Sequence, residues 1–365
     1  MNNHLVQLSM KISRSITIIV LAIIFLNACK KPEDNPVAGI LPATVSTLAG
    51  SSSAGFTDAT GLAASFKNPQ GVAVDASGNI YVADAGNNAI RKITAAGLVI
   101  TMAGTGSAGA IDDTTILALF NNPMALVADD SGNVYVADTG NHLIRKITNK
   151  GRVITFAGSG TAGAVNDTGI TASFNAPQGI ARDTAGNIYV GDTGNHLIRK
   201  ITSSGIVSTF AGSGIIGSAN GTGSIASFYY PAGLSTDVAG NIFVADSWNH
   251  LIRKITPGAA VTTLAGSGTA GALNAIGIAA SFNFPKSVAA DVVGNVYVAD
   301  GANNLVRKIS ADGTVATFAG SGNSGSSNGT ASSATFNNPY GIAVTAAQIL
   351  YVGDTGNNLI RKLVD

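Results

Sequence analysis

This sequence of 365 residues is poor in several residue types that catalysis and cross-linking use: it has one cysteine, Cys29, one tryptophan, Trp248, and one glutamate, Glu33. A single cysteine excludes an internal disulfide framework. Charged residues make up only 11% of the chain, whereas 45% of the residues are apolar and 45 residues are glycine. This composition favours buried strands joined by turns over amphipathic helices. After residue 26, no apolar run approaches the roughly 20 residues that span a bilayer as a helix.

The N-terminus has the pattern of a secretory signal. Lys11 and Arg14 precede an apolar stretch at 16–26, and residues 26–29 read Leu-Asn-Ala-Cys. This segment resembles the lipobox of bacterial lipoproteins, which implies cleavage before Cys29 and lipidation of that cysteine. An uncleaved anchor and an ordinary secretory signal are the alternatives. We therefore expect an exported protein that is held to the bacterial cell envelope, facing the periplasm or the outside, by its lipid anchor alone.

The chain divides into three parts. Residues 1–28 are predicted to be the signal peptide, and residues 29–44 a flexible tether, because three prolines and no periodic pattern follow Cys29. From residue 45 to 365 a unit of 54 residues recurs six times. A carboxylate that ends a Tyr-Val-Ala-Asp-like run marks each unit: Asp84, Asp138, Asp192, Asp246, Asp300 and Asp354. A proline keeps the same spacing: Pro69, Pro123, Pro177, Pro231, Pro285 and Pro339.

Each unit contains four short strand patterns, which in the first unit are an inner strand at 71–75, a second at 79–83, a third at 89–94 and an outer strand at 99–103. Four such strands form one blade of a β-propeller. The outer-strand pattern first appears at 45–50 and is missing after the last third strand. We therefore predict an all-β, six-bladed propeller of four antiparallel strands per blade, closed by the N-terminal strand, which completes the last blade.

Residues 132–147, Gly-Asn-Val-Tyr-Val-Ala-Asp-Thr-Gly-Asn-His-Leu-Ile-Arg-Lys-Ile, closely resemble the NHL repeat. The resemblance covers residues 45–365 and implies a propeller fold. It is nearly silent on function, since NHL propellers include RNA binders, receptor ectodomains, protein-interaction platforms and, among relatives, lyases. Asn-His-Leu itself occurs at 141, 195 and 249, whereas blades one, five and six have Asn in place of His.

Residues that repeat with the unit are interpreted as framework. The six aspartates precede turns in which their side chains can accept backbone N–H bonds. Asp58 and Asp112 lie where later repeats have asparagine, which predicts local loop bonding rather than a calcium site. His142, His196 and His250 lie too far from the propeller axis to share one zinc ion. The sequence thus predicts no metal and no cofactor.

Enzyme and nucleic-acid hypotheses find little support. The sole glutamate lies in the tether, no histidine lies on an inner strand, and no serine has an evident histidine partner. Of the 21 basic residues, only five lie on the propeller outside the repeated Arg-Lys pairs, so no basic stripe for nucleic acid exists. A lyase or hydrolase at the central channel is kept as the alternative to a binding protein without catalytic residues.

Aromatic residues that break the repeat indicate a binding site. Six phenylalanines share one repeated position and are predicted to fill the blade junctions: Phe66, Phe120, Phe174, Phe228, Phe282 and Phe336. The loops of blades four to six add aromatic side chains that the other blades lack, with one lysine beside them: Tyr229, Tyr230, Trp248, Phe284, Lys286 and Tyr340. Exposed aromatic rings beside polar groups suit sugar rings or a docked protein segment. We therefore predict a monomeric propeller that binds a glycan or protein partner through this loop face.

Overall fold

Residues 43–365 are described by a computed structural model, and they form the six predicted blades. The predicted signal peptide and the predicted lipidation site at Cys29 lie outside the described residues. Among residues 43–365, no helix is long and apolar enough to cross a membrane.

Each blade is an antiparallel sheet of four main strands. In blades one to five these strands run in chain order from the axis outwards, whereas the outer strand of blade six is the first strand of the described chain. The inner strands are Pro69–Val74, Pro123–Ala128, Gly179–Arg182, Pro231–Thr236, Pro285–Ala290 and Pro339–Val344. The second strands are Ile80–Asp84, Val134–Asp138, Ile188–Asp192, Ile242–Asp246, Val296–Asp300 and Leu350–Asp354. The third strands are Ala89–Ile93, Leu143–Ile147, Leu197–Ile201, Leu251–Ile255, Leu305–Ile309 and Leu359–Val364. The outer strands are Thr44–Ala49, Val99–Ala103, Arg152–Ala157, Val207–Ala211, Ala260–Ala265 and Val315–Ala319.

Short elements in the loops add to the predicted pattern. Two-residue strands extend the sheets of blades two, four and six: Asp113–Thr114, Gly221–Thr222 and Gly329–Thr330. A 3-10 turn follows every second strand: Ala85–Asn87, Thr139–Asn141, Thr193–Asn195, Ser247–Asn249, Gly301–Asn303 and Thr355–Asn357. Four more 3-10 turns lie in the loops between blades: Gly61–Ala63, Gly169–Thr171, Gly223–Ile225 and Gly277–Ala279.

The first strand closes the ring. Thr44–Ala49 pairs antiparallel with Leu359–Val364 and places Val45 opposite Leu363. Both residues are buried in the core between blades five and six. The predicted closure of blade six by the N-terminal strand is confirmed.

The core consists of six apolar clusters, and each joins two neighbouring blades. Between blades two and three, Phe174 packs with Tyr135 and Val190. All six repeated phenylalanines are fully buried, as predicted. Second strands are buried along their whole length because neighbouring blades cover both faces of the sheet.

A buried ion pair ties each blade together. In blade two, Arg145 Nη1 lies 2.9 Å from Asp138 Oδ2, and neither side chain is exposed. The same aspartate accepts hydrogen bonds from the backbone N–H of Asn121 and from the Asn141 amide. The aspartates are framework residues, as predicted, but their principal partner is the third-strand arginine rather than the turn backbone.

The expectation of purely local bonding for Asp58 and Asp112 needs correction. Arg145 Nη2 donates to Asp112 Oδ1 at 2.6 Å, although the two residues are 33 positions apart. In blade three, Arg199 makes the same contact with the Oδ1 atom of Asn166 at 2.7 Å. Aspartate and asparagine alternate at this position because either supplies the acceptor oxygen that the buried arginine needs.

Candidate functional site

The six inner strands surround a channel, and one variable position at or directly before the start of each strand lies at its mouth. Inner strands approach closely where glycine follows this position: a Cβ atom at Gly71 would lie 2.7 Å from the Cα atom of Ala125. The variable residue directly follows the repeated proline: Gln70, Met124, Gln178, Ala232, Lys286 and Tyr340. We call these six residues the mouth ring.

Tyr340 belongs to the mouth ring, which corrects its predicted place on the exposed loop face. Its side chain is buried, and its hydroxyl group donates to Gln178 Oε1 at 3.0 Å. Gln178 lies in blade three, directly opposite blade six, so this hydrogen bond crosses the channel. Burial raises the pKa of the Tyr340 hydroxyl above its ordinary value. The loop position was misread because residue 340 is already part of the inner strand Pro339–Val344.

Four of the predicted aromatic residues form one contiguous surface beside the mouth ring. The ring centroids of Tyr229 and Tyr230 each lie 5.3 Å from that of Trp248. The Phe284 ring meets Trp248 edge-on at 5.4 Å. Trp248 is 49% exposed and Tyr230 is 37% exposed. We call Tyr229, Tyr230, Trp248 and Phe284 the aromatic cluster.

Backbone conformation sets the cluster apart from ordinary surface residues. Tyr230 has φ of 51° and Phe284 has φ of 49°, in the left-handed region. The equivalent residues of the other blades have the same conformation but small side chains: Asn68, Asn122, Ala176 and Asn338. Asparagine tolerates this region well, whereas bulky residues rarely adopt it. Blades four and five therefore hold large rings where the backbone favours asparagine.

Trp248 departs from the repeat in a similar way. The equivalent residue is glycine in four blades, and at Gly140 a Cβ atom would lie 2.6 Å from the Asn121 Cγ atom. In blade four, Tyr229 replaces that asparagine and accepts a hydrogen bond from Trp248 N–H at its carbonyl oxygen. Blade four therefore replaces both the glycine and the asparagine of the repeat, by Trp248 and Tyr229.

Two histidines contact the aromatic cluster through hydrogen bonds and through their rings. The Nδ1 atoms of His196 and His250 accept hydrogen bonds from the backbone N–H groups of Tyr230 and Phe284, at 3.2 and 3.1 Å. Their rings also meet these aromatic rings edge-on, at centroid distances of 4.9 and 4.7 Å. Burial lowers the pKa of both imidazoles, which favours the neutral form that can accept at Nδ1.

The same contact explains why His and Asn alternate at this position. In blade one, Asn88 Oδ1 accepts from the backbone N–H of Asn122 at 2.9 Å, just as the histidines do. Each of the six residues serves one blade junction. Within residues 43–365, no group of three or more histidine, cysteine or acidic side chains is arranged to hold a metal ion.

Lys286 connects the mouth ring to the aromatic cluster. Its Nζ atom lies 5.6 Å from the Phe284 ring centroid and 5.9 Å from that of Tyr340. In the described part of the chain, no carboxylate lies within ion-pair distance of it. Burial lowers the pKa of the ammonium group. The six residues predicted for the site are thus brought together, and an ammonium without a counter-ion lies among them.

A cavity of about 220 Å³ opens between the aromatic cluster and the mouth ring. Its walls combine predicted and unpredicted residues: Met124, Gln178, Tyr230, Ala232, Ser247, Trp248, Lys286 and Tyr340. The sequence analysis did not identify Met124, Gln178, Ala232 and Ser247. One signal was available, since the position after the repeated proline carries five different residue types in six blades.

Four segments of the chain match the NHL repeat family: 66–93, 120–147, 174–201 and 228–255. The chain is 30% identical over 337 residues to the human NHL repeat-containing protein 2, a match that covers 81% of this chain and 46% of that protein. It spans less than half of the length of the curated relatives that it matches.

Solved structures share the fold at low sequence identity. An auxiliary nutrient binding protein from Bacteroides thetaiotaomicron superposes with a TM-score of 0.68 at 14% identity, covering 88% of this chain and 76% of that one. A streptogramin B lyase superposes with a TM-score of 0.54 at 13% identity, covering 88% of this chain and 98% of that one. At such identities the likeness establishes the propeller and leaves the ligand open.

Proposed function

Since this chain is a six-bladed propeller built of NHL repeats, we propose that it is a binding protein that holds its ligand at the channel mouth, against the aromatic cluster. The observation that carries this proposal is the pair of bulky rings in left-handed backbone, Tyr230 and Phe284. Strain of this kind costs about 1 kcal/mol or more and is concentrated at functional sites. The framework would be satisfied by the asparagine that other blades use.

A carbohydrate fits this surface better than a protein segment. Exposed rings at Tyr230 and Trp248 offer flat apolar faces, and Ser247, Gln178 and Lys286 place polar groups at their edge. A sugar ring has the matching division into apolar faces and a rim of hydroxyl groups. The likeness in fold to an auxiliary nutrient binding protein supports a binding role, without favouring either kind of ligand.

The alternative function is a lyase or hydrolase at the central channel. Within the described residues, the mouth ring contains one lysine and one tyrosine and neither a carboxylate nor a histidine. Such a ring supplies hydrogen-bond donors and apolar surface but lacks the acid–base pair that hydrolysis of a glycosidic bond uses. Bound glycans should therefore show no hydrolytic shortening after prolonged incubation with the protein, and absorbance from newly formed unsaturated sugar ends would reveal the lyase alternative.

Membrane attachment through Cys29 remains part of the proposal. A lipid chain on Cys29 and a tether that ends before the strand Thr44–Ala49 would hold the propeller at the cell envelope. Replacement of Cys29 by alanine in the full chain should move the protein from the membrane fraction to the soluble fraction. An unchanged distribution of the Cys29→Ala protein would disprove lipid anchoring at this residue.

The binding site can be tested by restoring the residues that the repeat uses elsewhere. A triple variant, Tyr230→Asn with Trp248→Gly and Phe284→Asn, removes the rings but keeps side chains that the same positions carry in other blades. Wild type and variant are compared on a glycan array and in pull-downs with envelope proteins. We expect the glycan signal of the wild type to be lost in the variant.

Phe56→Ala is the matched control. Phe56 is also an exposed loop aromatic, at 38% exposure, and blades two, three and five have alanine at the equivalent position. This variant should bind like the wild type. Unchanged glycan binding by the triple variant would remove the aromatic cluster from the site, and capture of a protein without any glycan signal would favour a protein partner.

A further inference from the structure

We propose that the ligand carries a carboxylate group, and that Lys286 receives it at the channel mouth: the glycan is an acidic one that contains uronic acid residues. This inference rests on the proposed function and narrows its ligand class. It follows from the position of Lys286, from the hydrogen-bond donors around it and from the absence of other charges in the mouth ring.

Lys286 is the only charged residue of the mouth ring. Its ammonium is flanked by the rings of Phe284 and Tyr340, at 5.6 and 5.9 Å. Aromatic faces attract a cation, but they do not replace the hydrogen bonds that an ammonium group makes in water. A half-buried ammonium with three donors and no carboxylate partner gains most from an anionic acceptor.

One amide of the mouth ring presents a matching donor. The Tyr340 hydroxyl donates to Gln178 Oε1, so the two Nε2 hydrogens of Gln178 remain for a ligand. On blade one of the same ring, the Gln70 side chain has a buried Oε1 atom without a hydrogen-bond partner. This oxygen is an acceptor and cannot pair with a carboxylate, so its partner in a filled site is a hydroxyl group of the sugar.

The aromatic cluster indicates which anion is bound. The Phe284 ring contacts the exposed Trp248 ring and also lies beside Lys286 Nζ. Trp248 and Lys286 also line the same cavity of about 220 Å³, so a sugar stacked on the Trp248 ring can direct a substituent of its own ring towards the cation. A uronic acid carries its carboxylate on the sugar ring, and its single charge matches the single ammonium.

The test uses oligosaccharides in matched pairs. Oligogalacturonate, oligoalginate and hyaluronan fragments are each presented in native form and in carboxyl-reduced form, which keeps the sugar chain and removes the charge. We expect the wild type to bind at least one native form about tenfold or more tightly than its reduced counterpart, which is the usual effect of a hydrogen bond to a charged group.

Variants assign the preference to one side chain. Lys286→Gln introduces the residue that blades one and three carry and should abolish the preference, whereas Lys286→Arg should retain it. Lys67→Asn removes an exposed positive charge from the same face and introduces the residue of blades two, three, five and six, so it should leave the preference unchanged. Thermal unfolding of each variant verifies that the fold is intact.

The outcomes separate the two proposals. Equal binding of native and reduced forms by the wild type, or a preference that survives in Lys286→Gln, overturns the assignment to Lys286 but leaves carbohydrate binding at the aromatic cluster intact. Binding of neutral glycans alone would also overturn the assignment to Lys286 and leave carbohydrate binding intact. If no glycan of either form binds, the acidic ligand and the proposed carbohydrate function fall together.

Discussion

At the scale of single residues, folding and the proposed binding favour different side chains at position 230. Its φ of 51° favours asparagine, and its ring is 37% exposed. Tyr230→Asn and Tyr230→Ala both remove the ring, but only asparagine suits the left-handed backbone. We expect the asparagine variant to have the higher free energy of unfolding, by about 0.5–1 kcal/mol, in urea denaturation.

Both variants should lose ligand binding to the same extent, because they lack the same ring. Asn122→Ala on blade two is the control, since it makes the same comparison of asparagine with alanine where no aromatic residue is involved, with φ of 50°. Equal stability of the asparagine and alanine variants at residue 230 would show that the backbone conformation stores no strain.

The two histidines that contact the aromatic cluster should make two blade junctions sensitive to pH. His196 lies at the junction of blades three and four, and His250 lies at the junction of blades four and five. Burial lowers the pKa of His196 and His250 below the ordinary value of 6.5. The unfolded chain therefore takes up protons first as the pH falls. Their contribution to stability is complete above pH 6.5 and is lost as the pH falls through 6.5 towards the lowered pKa of the folded state.

We expect the urea midpoint of the wild type to fall between pH 7.5 and pH 5.5 by more than that of a His196→Asn, His250→Asn double variant. Asparagine fills this position in three blades and accepts the same backbone hydrogen bond without titrating, as Asn88 does. The carboxylates titrate equally in both proteins and cancel in the comparison. Parallel pH profiles would contradict the role given to these imidazoles.

The sequence revealed most of the site at this scale, but not its geometry. Four of the six predicted residues break a repeat that otherwise fixes the framework, and these four form one surface: Tyr229, Tyr230, Trp248 and Phe284. Tyr340 was misplaced because one position separates a loop tip from an inner strand. Gln178 escaped notice because its partnership with Tyr340 spans 162 residues.

At the scale of the blade, one arginine joins elements that the sequence keeps far apart. Arg145 on the third strand binds Asp138 at the end of the second strand. It also donates to the Leu119 carbonyl and to Asp112, both in the loop before the inner strand. Its guanidinium lies 5.2 Å from the Phe120 ring centroid. The third strand, the second strand and the loop are thus tied by a single side chain.

Removal of this arginine should be among the most damaging single changes. Burial raises the pKa of Asp138 to about 6 even with its donors in place, which shows how costly its charge is in the core. Arg145→Met would strip the carboxylate of its counter-ion and should lower the free energy of unfolding by about 3–5 kcal/mol, measured in guanidinium chloride.

The neighbouring residue is the control for this change. Lys146 is only half-buried and forms no ion pair in the described chain, so Lys146→Met should cost less than about 1 kcal/mol. If Arg145→Met were equally mild, the buried ion pair would not hold the blade. Addition of Asp138→Asn to Arg145→Met should recover part of the loss, since it removes the uncompensated charge.

The regular strands of a blade were predictable, whereas the loops were not. The outer strand of blade one is observed at the predicted residues, Val99–Ala103, because apolar pattern and turn residues both specify it. Two-residue strands such as Asp113–Thr114 have no pattern of their own and form only because an outer strand offers a free edge. The arginine contacts likewise join residues whose separation gives no periodic signal.

At the scale of the whole molecule, the ring depends on one strand that is far from its blade in sequence. Thr44–Ala49 covers the edge of Leu359–Val364 and buries Val45 and Ala49 in two different blade junctions. Without it, blade six would end at an unpaired third strand, and an open edge of this kind invites pairing with another chain. Closure therefore bears on solubility as well as on stability.

A chain that begins at residue 50 should unfold at a markedly lower temperature than one that begins at residue 42, and it should associate as its concentration rises. The two truncated chains differ only in the closing strand and its flanks, so calorimetry and light scattering compare them directly.

A closed ring unfolds as one unit because each junction supports the next, whereas an opened ring can lose blade six first. Two separate thermal transitions in the shorter chain, against one in the longer, would be the mark of that change. Identical melting and identical mass for the two chains would mean that the six blades hold together without the strand that closes them.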